Sequence, residues 1–498
     1  MDVPWRIGNS APLPLSTYIG FSDRRKSQEE KDTLIAISDY LLVERRQNPQ
    51  AGLHTCILYD RKDVVDDKLL LLIEATYVPG CEEQWQKVLK WIVNLLSENK
   101  ISWDVEIIDQ ELFYSRTDIA PFIPKMADDL LKVSPLLGHI DWVAIDILNI
   151  FSPLKRLKTP TLIISTKDVT DLRLGPAVQD IKSHTDFEEV TLLQVNSVLP
   201  KARDKDDVLL HDAITSRFGP LDGAYQNPIG GSCGLKDLQV SASIGFPISF
   251  NGLPIDYASK DVYGLTSARA FSPTLQLGAT IQAPSTMDAD HDLKQAREDK
   301  NYSQSLFELL SKFYKTSSRD LGKVVAISHL EHEGWLTDWC IFKNIWPEEI
   351  KPHVSLKNGS LIHPDQWIPL VPGQSHQVLR RGRSSGWTTG RTNPYPSVIN
   401  IRGLHPQRSD ALVYGVFLDH SMMNSWGDQY LYSWGDLGSP VFAEGPLPKR
   451  GTLLGICSGM NYASELHYIT PMDVLARSVA AIMQQDMTQP KEAERVEN

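Results

Sequence analysis

The stretch from Trp434 to Phe442 places the tightest constraint on how the second half of this chain can fold. It reads Trp-Gly-Asp-Leu-Gly-Ser-Pro-Val-Phe, so two glycines, an aspartate and a proline lie close together and an apolar run follows at once. Glycine adopts backbone angles that are closed to other residues. The stretch therefore predicts a tight, shaped loop that leads into a buried strand.

From about residue 226 onward the sequence has the pattern of an all-β structure. Short apolar runs alternate with turn residues, as in a barrel or a sandwich. The amphipathic stretch 293–314 interrupts these runs and predicts an inserted helix. The stretch 471–484 predicts a closing C-terminal helix.

The first 220 residues have a different pattern, which predicts an α/β (or α+β) domain. Two β-α-β units are expected, and residues 126–151 between them are predicted to be helical. Units of this size favour a ferredoxin-like or small doubly wound layer. The strand, helix and strand are 68–78, 82–96 and 101–108 in the first unit, and 161–165, 175–184 and 189–195 in the second.

A stretch rich in glycine and proline, 216–234, predicts the linker between two domains. A length of 498 residues also favours two domains over one. We therefore divide the chain into residues 1–220, an α/β domain whose function the sequence does not indicate, and residues 221–498.

Three segments of the second domain carry a resemblance to a known family. The loop 435–440 resembles the Gly-Asp-Ser-Gly-Gly/Ser-Pro signature of chymotrypsin-like (trypsin-like) serine proteases, with Leu437 in place of the nucleophilic serine. Residues 263–271 resemble the family's Leu-Thr-Ala-x-His segment, with Arg269 in place of the histidine. Residues 337–342 resemble its Asp-x-Ala-Leu segment, and Asp338 matches the aspartate. The resemblance implies an all-β double barrel with a degenerate catalytic triad.

Two further motifs extend the resemblance over residues 226–498. Residues 381–390 resemble the glycine- and threonine-rich hairpin that opens the second barrel, and residues 455–459 resemble the substrate-binding strand. By position, the resemblance implies three sets of site residues. These are Gly435 and Leu437 for an oxyanion-hole-like pair of N–H groups, Leu431 for the base of the specificity pocket, and Ser458 and Gly459 for main-chain bonds to a peptide in the cleft. An apolar pocket base predicts peptides with apolar anchors rather than lysine or arginine.

The replaced triad residues predict a protein without peptidase activity. Leucine has no heteroatom that can attack a carbonyl, and arginine stays charged, so it cannot accept a proton. Removing the serine or the histidine of such a triad costs on the order of a million-fold in turnover. We expect instead an ion pair between Arg269 and Asp338, with Leu437 filling the space of the serine, because an unpaired buried carboxylate is costly.

Other groups could still carry chemistry, and each has a simpler interpretation. Ser439 lies two residues beyond the nucleophile position, and Cys340 and Cys457 fall on strands predicted to be buried. The His/Glu cluster at 329–333 lacks the order of a zinc motif and is interpreted as an acidic hairpin loop. The aspartates in 288–292 lack a calcium-loop pattern and are interpreted as a helix cap. No metal site or cofactor is predicted.

Four arginines form a local basic patch in an otherwise acidic sequence. They are predicted to lie in solvent on a hairpin, with an acidic partner as the alternative. They are Arg380, Arg381, Arg383 and Arg391.

Composition limits the class of partner. A formal net charge of -12 disfavours nucleic acid and anionic membranes, which need a basic surface. Five scattered cysteines and the absence of an apolar leader in the first residues predict an intracellular, cytoplasmic protein with reduced thiols. We expect a protein- or peptide-binding or regulatory module. The alternatives are an active intracellular trypsin-like endopeptidase with an unrecognised residue set, and a structural scaffold. The sequence does not indicate the oligomeric state.

Overall fold

The structure is a computed structural model, and the residues that it describes cover most of the predicted elements. The described residues are 6–8, 19–21, 27–61, 69–78, 80–109, 117–152, 157–195, 198–199, 229–248, 263–298, 304, 307–308, 311–312, 314, 319–328, 330–344, 354–355, 361–362, 366–383, 386–402, 404–405, 408–418, 436–444, 451–461, 464 and 466–483.

The first part of the chain forms a five-stranded sheet against which two helices pack. Its elements are β1 (Arg6–Gly8), β2 (Ile19–Phe21), α1 (Gln28–Gln47), β3 (Leu53–Arg61), β4 (Leu69–Ala75), α2 (Glu82–Glu98) and β5 (Asp104–Asp109). The spatial order is β1-β5-β4-β3-β2. Strands β4 and β5 are parallel and α2 connects them, which confirms the first predicted β-α-β unit.

A second β-α-β unit follows in the chain but belongs to a different sheet. Its region contains β6 (Thr117–Asp118), α3 (Pro124–Leu136), β7 (Trp142–Ser152), β8 (Leu157–Thr166), α4 (Leu174–His184) and β9 (Val190–Gln194). The parallel pair β8 and β9 confirms the predicted unit. The expectation that both units form a single ferredoxin-like or doubly wound layer is wrong, because the two units pair with different strands.

Seven antiparallel strands form the next sheet, in the order β11-β10-β14-β15-β18-β13-β12. An inserted helix, α5 (Thr286–Glu298), starts earlier than the predicted residue 293, and most of 299–318 lies outside the described residues. Residues 229–234, predicted to end the linker, are instead mostly buried and enter the sheet, while 216–228 lie outside the described residues. The strands are β10 (Ser232–Leu235), β11 (Ala242–Ser243), β12 (Pro247–Ile248), β13 (Tyr263–Thr266), β14 (Thr280–Gln282), β15 (Asp320–Ile327) and β18 (Cys340–Asn344).

The largest sheet has thirteen strands, six of which close into a ring. Strand β23 pairs with both β22 and β24, and the ring continues through β27, β26 and β25 back to β22. The strands that the C-terminal half adds are β16 (Leu330–His332), β17 (Trp335–Thr337), β21 (Gln366–Trp367), β22 (Gln377–Gly382), β23 (Gly386–Asn400), β24 (Asp410–Leu418), β25 (Pro440–Ala443), β26 (Thr452–Asn461) and β27 (Leu466–Pro471). A separate pair is formed by β19 (Val354–Ser355) and β20 (Leu361–Ile362).

Strand β7 joins the second β-α-β unit to this ring. It pairs with β8 on one side and with β23 on the other, where Val398 lies opposite Ile145. Residues 126–151 were predicted to be helical throughout, which is wrong for β7. Both faces of β7 are buried, with Ile147 in one apolar cluster and Leu148 in another, so its sequence lacks the alternation that marks a strand. The pairing of β7 with β23 thus joins residues from both sides of the predicted domain boundary near residue 220. The division of the chain into two domains stays a prediction.

The C-terminal helix α6 (Met472–Met483) is confirmed and packs in a core shared by the seven-stranded sheet and the ring. That core contains Leu265 and Ile341 from the first and Phe442 and Ile456 from the second. Among the described residues, no helix is long and apolar enough to cross a membrane.

Candidate functional site

The three segments interpreted from the sequence as a degenerate triad meet where the seven-stranded sheet contacts the ring. Asp338 lies just before β18, and Arg269 starts a short 3-10 turn after β13. Since Thr266 pairs with Cys340 in the β13–β18 ladder, both side chains extend from the same end of adjacent strands. The Asp338 carboxylate is fully buried and accepts hydrogen bonds from Ser267 Oγ (2.7 Å) and from Arg269 N (2.8 Å).

The expected ion pair between Arg269 and Asp338 is present. Arg269 Nη2 lies 3.2 Å from Asp338 Oδ2, and the side chains are 13% and 0% exposed. The same nitrogen donates to the main-chain carbonyl of Ser458 on β26. Arg269 therefore links the loop after β13, the residue before β18 and a strand of the ring.

Leu437 occupies an apolar site beside this ion pair. Its side chain is 3% exposed and packs with Ala268 and Phe271 in the core of the seven-stranded sheet. Its carbonyl accepts from Ser243 N at 2.9 Å. The next residue, Gly438, has φ +84°, and a Cβ there would lie 2.7 Å from Ser267 N. The loop is pressed against its neighbours so closely that only glycine fits at 438.

A buried ion pair anchors the other side of the loop. Arg380 Nη2 lies 3.1 Å from Asp436 Oδ2, and Arg380 Nη1 donates to His467 Nδ1 at 2.8 Å. A Cβ on Gly382 would lie 2.3 Å from Asp436 Oδ1, so the hairpin needs glycine at 382 to admit this carboxylate. The loop conformation is thus held by charge pairing as well as by apolar packing.

A second buried arginine joins the hairpin to the inserted helix. Arg383 donates from Nε to Asp288 Oδ2 (2.6 Å) and from Nη2 to Asp288 Oδ1 (2.5 Å). Asp288 also accepts from Ser241 Oγ at 3.2 Å. Its own N–H donates to Ser285 Oγ, so the serine, not the aspartate cluster, caps the start of α5.

The prediction of a solvated basic patch is therefore wrong for Arg380 and Arg383. Both are buried in ion pairs, whereas Arg381 is half-buried against the Trp387 ring and Arg391 is exposed. A buried charge is stable only with a partner. The partners lie 56 and 95 positions away in sequence, so the local charge run gave no sign of them.

The alternative nucleophiles are poorly placed for chemistry. Ser439 is fully buried, and its Oγ has no hydrogen-bond partner within the described part of the chain, so no base is in place there to take its proton. Burial raises the pKa of the Cys457 thiol, and it raises the pKa of the Cys340 thiol well above the usual range. Both cysteines thus stay as unreactive thiols.

Two of the predicted site residues, and one histidine of the His/Glu cluster at 329–333, lie in parts of the chain that the structure does not describe. Leu431, Gly435 and His329 lie outside the described residues. The specificity pocket and the oxyanion-hole-like pair therefore stay predictions. In the part of the chain that the structure describes, no group of three or more His, Cys, Asp or Glu side chains could hold a metal ion.

Another buried carboxyl group, Asp146 on β7, lies where the first half of the chain joins the ring. It accepts hydrogen bonds from Tyr468 Oη (2.9 Å), Asn461 Nδ2 (3.1 Å) and Ser464 Oγ (3.3 Å). Burial raises the pKa of Asp146, and the surrounding hydroxyl and amide donors only partly oppose this. No sequence motif marked this cluster, because its members come from distant segments.

Stability should consequently depend on pH through Asp146. With its folded-state pKa raised above the unfolded value, the folded chain retains a proton that the unfolded chain has lost. Stability then falls as pH rises from about 4 toward the folded pKa. We expect the cost of Asp146→Asn to shrink over that window by up to about 1.4 kcal/mol per pH unit. Urea denaturation across this pH range measures it, with the exposed Asp141→Asn as control. An equal cost of Asp146→Asn at every pH would refute the expectation.

Comparison with known proteins gives the following findings. No family model matches the chain, and no curated protein does. The solved structures to which it is similar are chymotrypsin-like serine proteases, and the similarity covers about half of the chain, its C-terminal part. Thermobifida fusca Protease A is 13% identical with a TM-score of 0.31, covering 53% of this chain and 99% of that one. Cellulomonas bogoriensis chymotrypsin is 13% identical with a TM-score of 0.31, covering 53% of this chain and 100% of that one. The MamO protease domain of Magnetospirillum magneticum is 12% identical with a TM-score of 0.26, covering 51% of this chain and 98% of that one. Such values assign no role to any residue of this chain.

Proposed function

We propose that this chain is a catalytically inactive homologue of chymotrypsin-like serine proteases that acts as a protein- or peptide-binding or regulatory module. In this proposal the seven-stranded sheet and the six-stranded ring correspond to the two barrels of that fold. The observation that supports it best is the centre formed by Arg269, Asp338 and Leu437. It has the positions of a triad and the contacts of a structural core.

The chemistry of this centre argues against hydrolysis. Acyl transfer needs a nucleophile with a removable proton and a base with a pKa near the working pH. The Arg269 guanidinium only donates hydrogen bonds, and it already donates to Asp338 and Ser458. Leu437 offers no heteroatom and faces the apolar core. With both functional groups absent, the remaining protease architecture can bind but not cleave.

The nature of the partner belongs to the same proposal. The charge balance of the sequence favours a protein or peptide over nucleic acid or a membrane, and the proposed function needs no cofactor. An intracellular location fits the five cysteines, none of which is in a disulfide. The rivals are an active endopeptidase with an unrecognised residue set and a scaffold without a ligand.

The first test is for hydrolysis. Purified protein should cleave no member of a peptide library above the buffer rate and should form no adduct with a fluorophosphonate probe, because Arg269 and Leu437 supply neither a base nor a nucleophilic hydroxyl. An active serine protease serves as the positive control for the probe. Ser439→Ala is the matched variant: an adduct on the native chain that this change abolishes would identify Ser439 as a nucleophile and establish the endopeptidase rival.

A further inference from the structure

Within the part of the chain that the structure describes, strand β26 has one edge that its sheet neighbours leave open. On one side it pairs with β27 along its length, from Gly455 to Asn461. On the other side the contacts with β25 and its loop end at Cys457, whose N–H donates to Ser439 O. Beyond this point the strand directs Ser458 C=O and Met460 N–H away from β27. Main-chain groups on an open strand edge are those that an added peptide strand would use.

Both of these groups are already engaged by the chain itself. Ser458 C=O accepts the hydrogen bond from Arg269 Nη2. Met460 N–H donates to the carbonyl of Val198 at 3.0 Å. Val198 belongs to the first half of the chain, so a segment distant in sequence contacts the open edge.

The segment that contains Val198 and Leu199 lies close to the backbone of β26 at Gly459. A Cβ at Gly459 would lie 2.7 Å from Val198 O and 3.2 Å from Leu199 Cδ2. Real Cβ atoms essentially never approach another atom within 3.0 Å, so any side chain at 459 would displace the segment. Glycine at this position allows the segment to lie directly on the strand.

Apolar burial holds the segment in place from its other side. Val198 and Leu199 are 1% and 8% exposed and pack in one cluster with residues of β7, β8, β24 and β27. Earlier in the chain, Val195 donates from its N–H to Thr166 O at the end of β8. The segment thus combines a main-chain bond to β26 with two apolar anchors.

We propose that the Val198–Leu199 segment is a built-in ligand of β26, held where an extended peptide would otherwise pair, so that a partner peptide reaches this edge only by displacing it. This inference rests on the proposed binding function and specifies its regulation: the edge is closed by default. It also gives the chemistry of the competitor, an extended peptide with two adjacent aliphatic residues.

A peptide-binding experiment on the full-length protein tests the inference. The probe is a labelled peptide with the sequence of residues 194–201, and binding is followed by fluorescence anisotropy. The native chain should bind it weakly, because its edge is open for only a small fraction of the time. The variant Val198→Gly/Leu199→Gly should bind it at least about tenfold more tightly, since the apparent affinity rises with the open fraction. Adding Gly459→Ala to that variant should abolish binding, whereas Gly175→Ala, where a Cβ meets nothing within 4 Å, should not.

Hydrogen exchange gives a second readout that does not require the double variant to fold. In the native chain the Met460 amide should exchange slowly, and Gly459→Ala alone should accelerate it while the Cys457 amide stays protected. Equal peptide affinity in the native chain and the double variant, or a Met460 amide indifferent to Gly459→Ala, would overturn the inference. Cleavage of the probe by any variant would instead overturn the proposed function, so the two failures can be told apart.

Discussion

Replacing Arg383 by alanine is expected to destabilise the folded chain by about 3–5 kcal/mol. The Arg383 and Asp288 side chains are 1% and 0% exposed and form two hydrogen bonds with each other. Without the guanidinium, the Asp288 carboxylate stays buried and loses its countercharge. Because α5 and the β22–β23 hairpin meet through this pair, the loss should affect the contact between the seven-stranded sheet and the ring.

Chemical denaturation of the native chain and of Arg383→Ala measures this cost. Lys167→Ala is the matched control, since Lys167 pairs with Asp141 in solvent, with the side chains 53% and 64% exposed. An exposed pair contributes about 0–1 kcal/mol. The apolar double variant Arg383→Met/Asp288→Leu should be less destabilised than Arg383→Ala, because it leaves no unpaired charge. A cost for Arg383→Ala as small as that of the control would refute the expectation.

The parts of the fold that the sequence predicts correctly are those with a clear local period. Helix α2 has one apolar face, and β4 and β5 flank it, so the first β-α-β unit could be recognised from spacing alone. Strand β7 could not, because its two buried faces give an apolar run without alternation. Its pairing with β23 depends on residues about 250 positions later in the chain.

The candidate site, too, could be predicted from the sequence only where local patterns mark it. The resemblance of three short segments to a known family singled out Arg269, Asp338 and Leu437, and the structure brings these segments together. The buried roles of Arg380 and Arg383 escaped the sequence, since an arginine cluster looks the same in solvent as in an interior with distant carboxylates. The Val198 segment escaped because its bond to β26 uses the main chain, which every sequence supplies.

The second large effect concerns Arg269 and Asp338. Arg269→Ala should cost about 3 kcal/mol, at the low end for a buried pair. The reason is that Asp338 keeps the hydrogen bonds from Ser267 Oγ and from the main-chain N–H of residue 269. Asp338→Ala should cost at least as much, since it leaves those two donors without their acceptor and the buried guanidinium without its carboxylate, with only the Ser458 carbonyl still accepting from Nη2. Arg269→Lys keeps the charge but loses the Nη2 atom that donates to both Asp338 and Ser458, so an intermediate cost is expected.

The coupling free energy between these two residues tests the central claim most directly, that Arg269 and Asp338 act as a structural unit at the position proposed for the triad. It is obtained from the unfolding free energies of the native chain, Arg269→Ala, Asp338→Ala and the double variant. If the pair stabilises the fold, the double variant should be more stable than the sum of the single losses implies, by about 1–3 kcal/mol. Single losses that add to within about 0.5 kcal/mol would mean that the two residues act independently and would contradict this account.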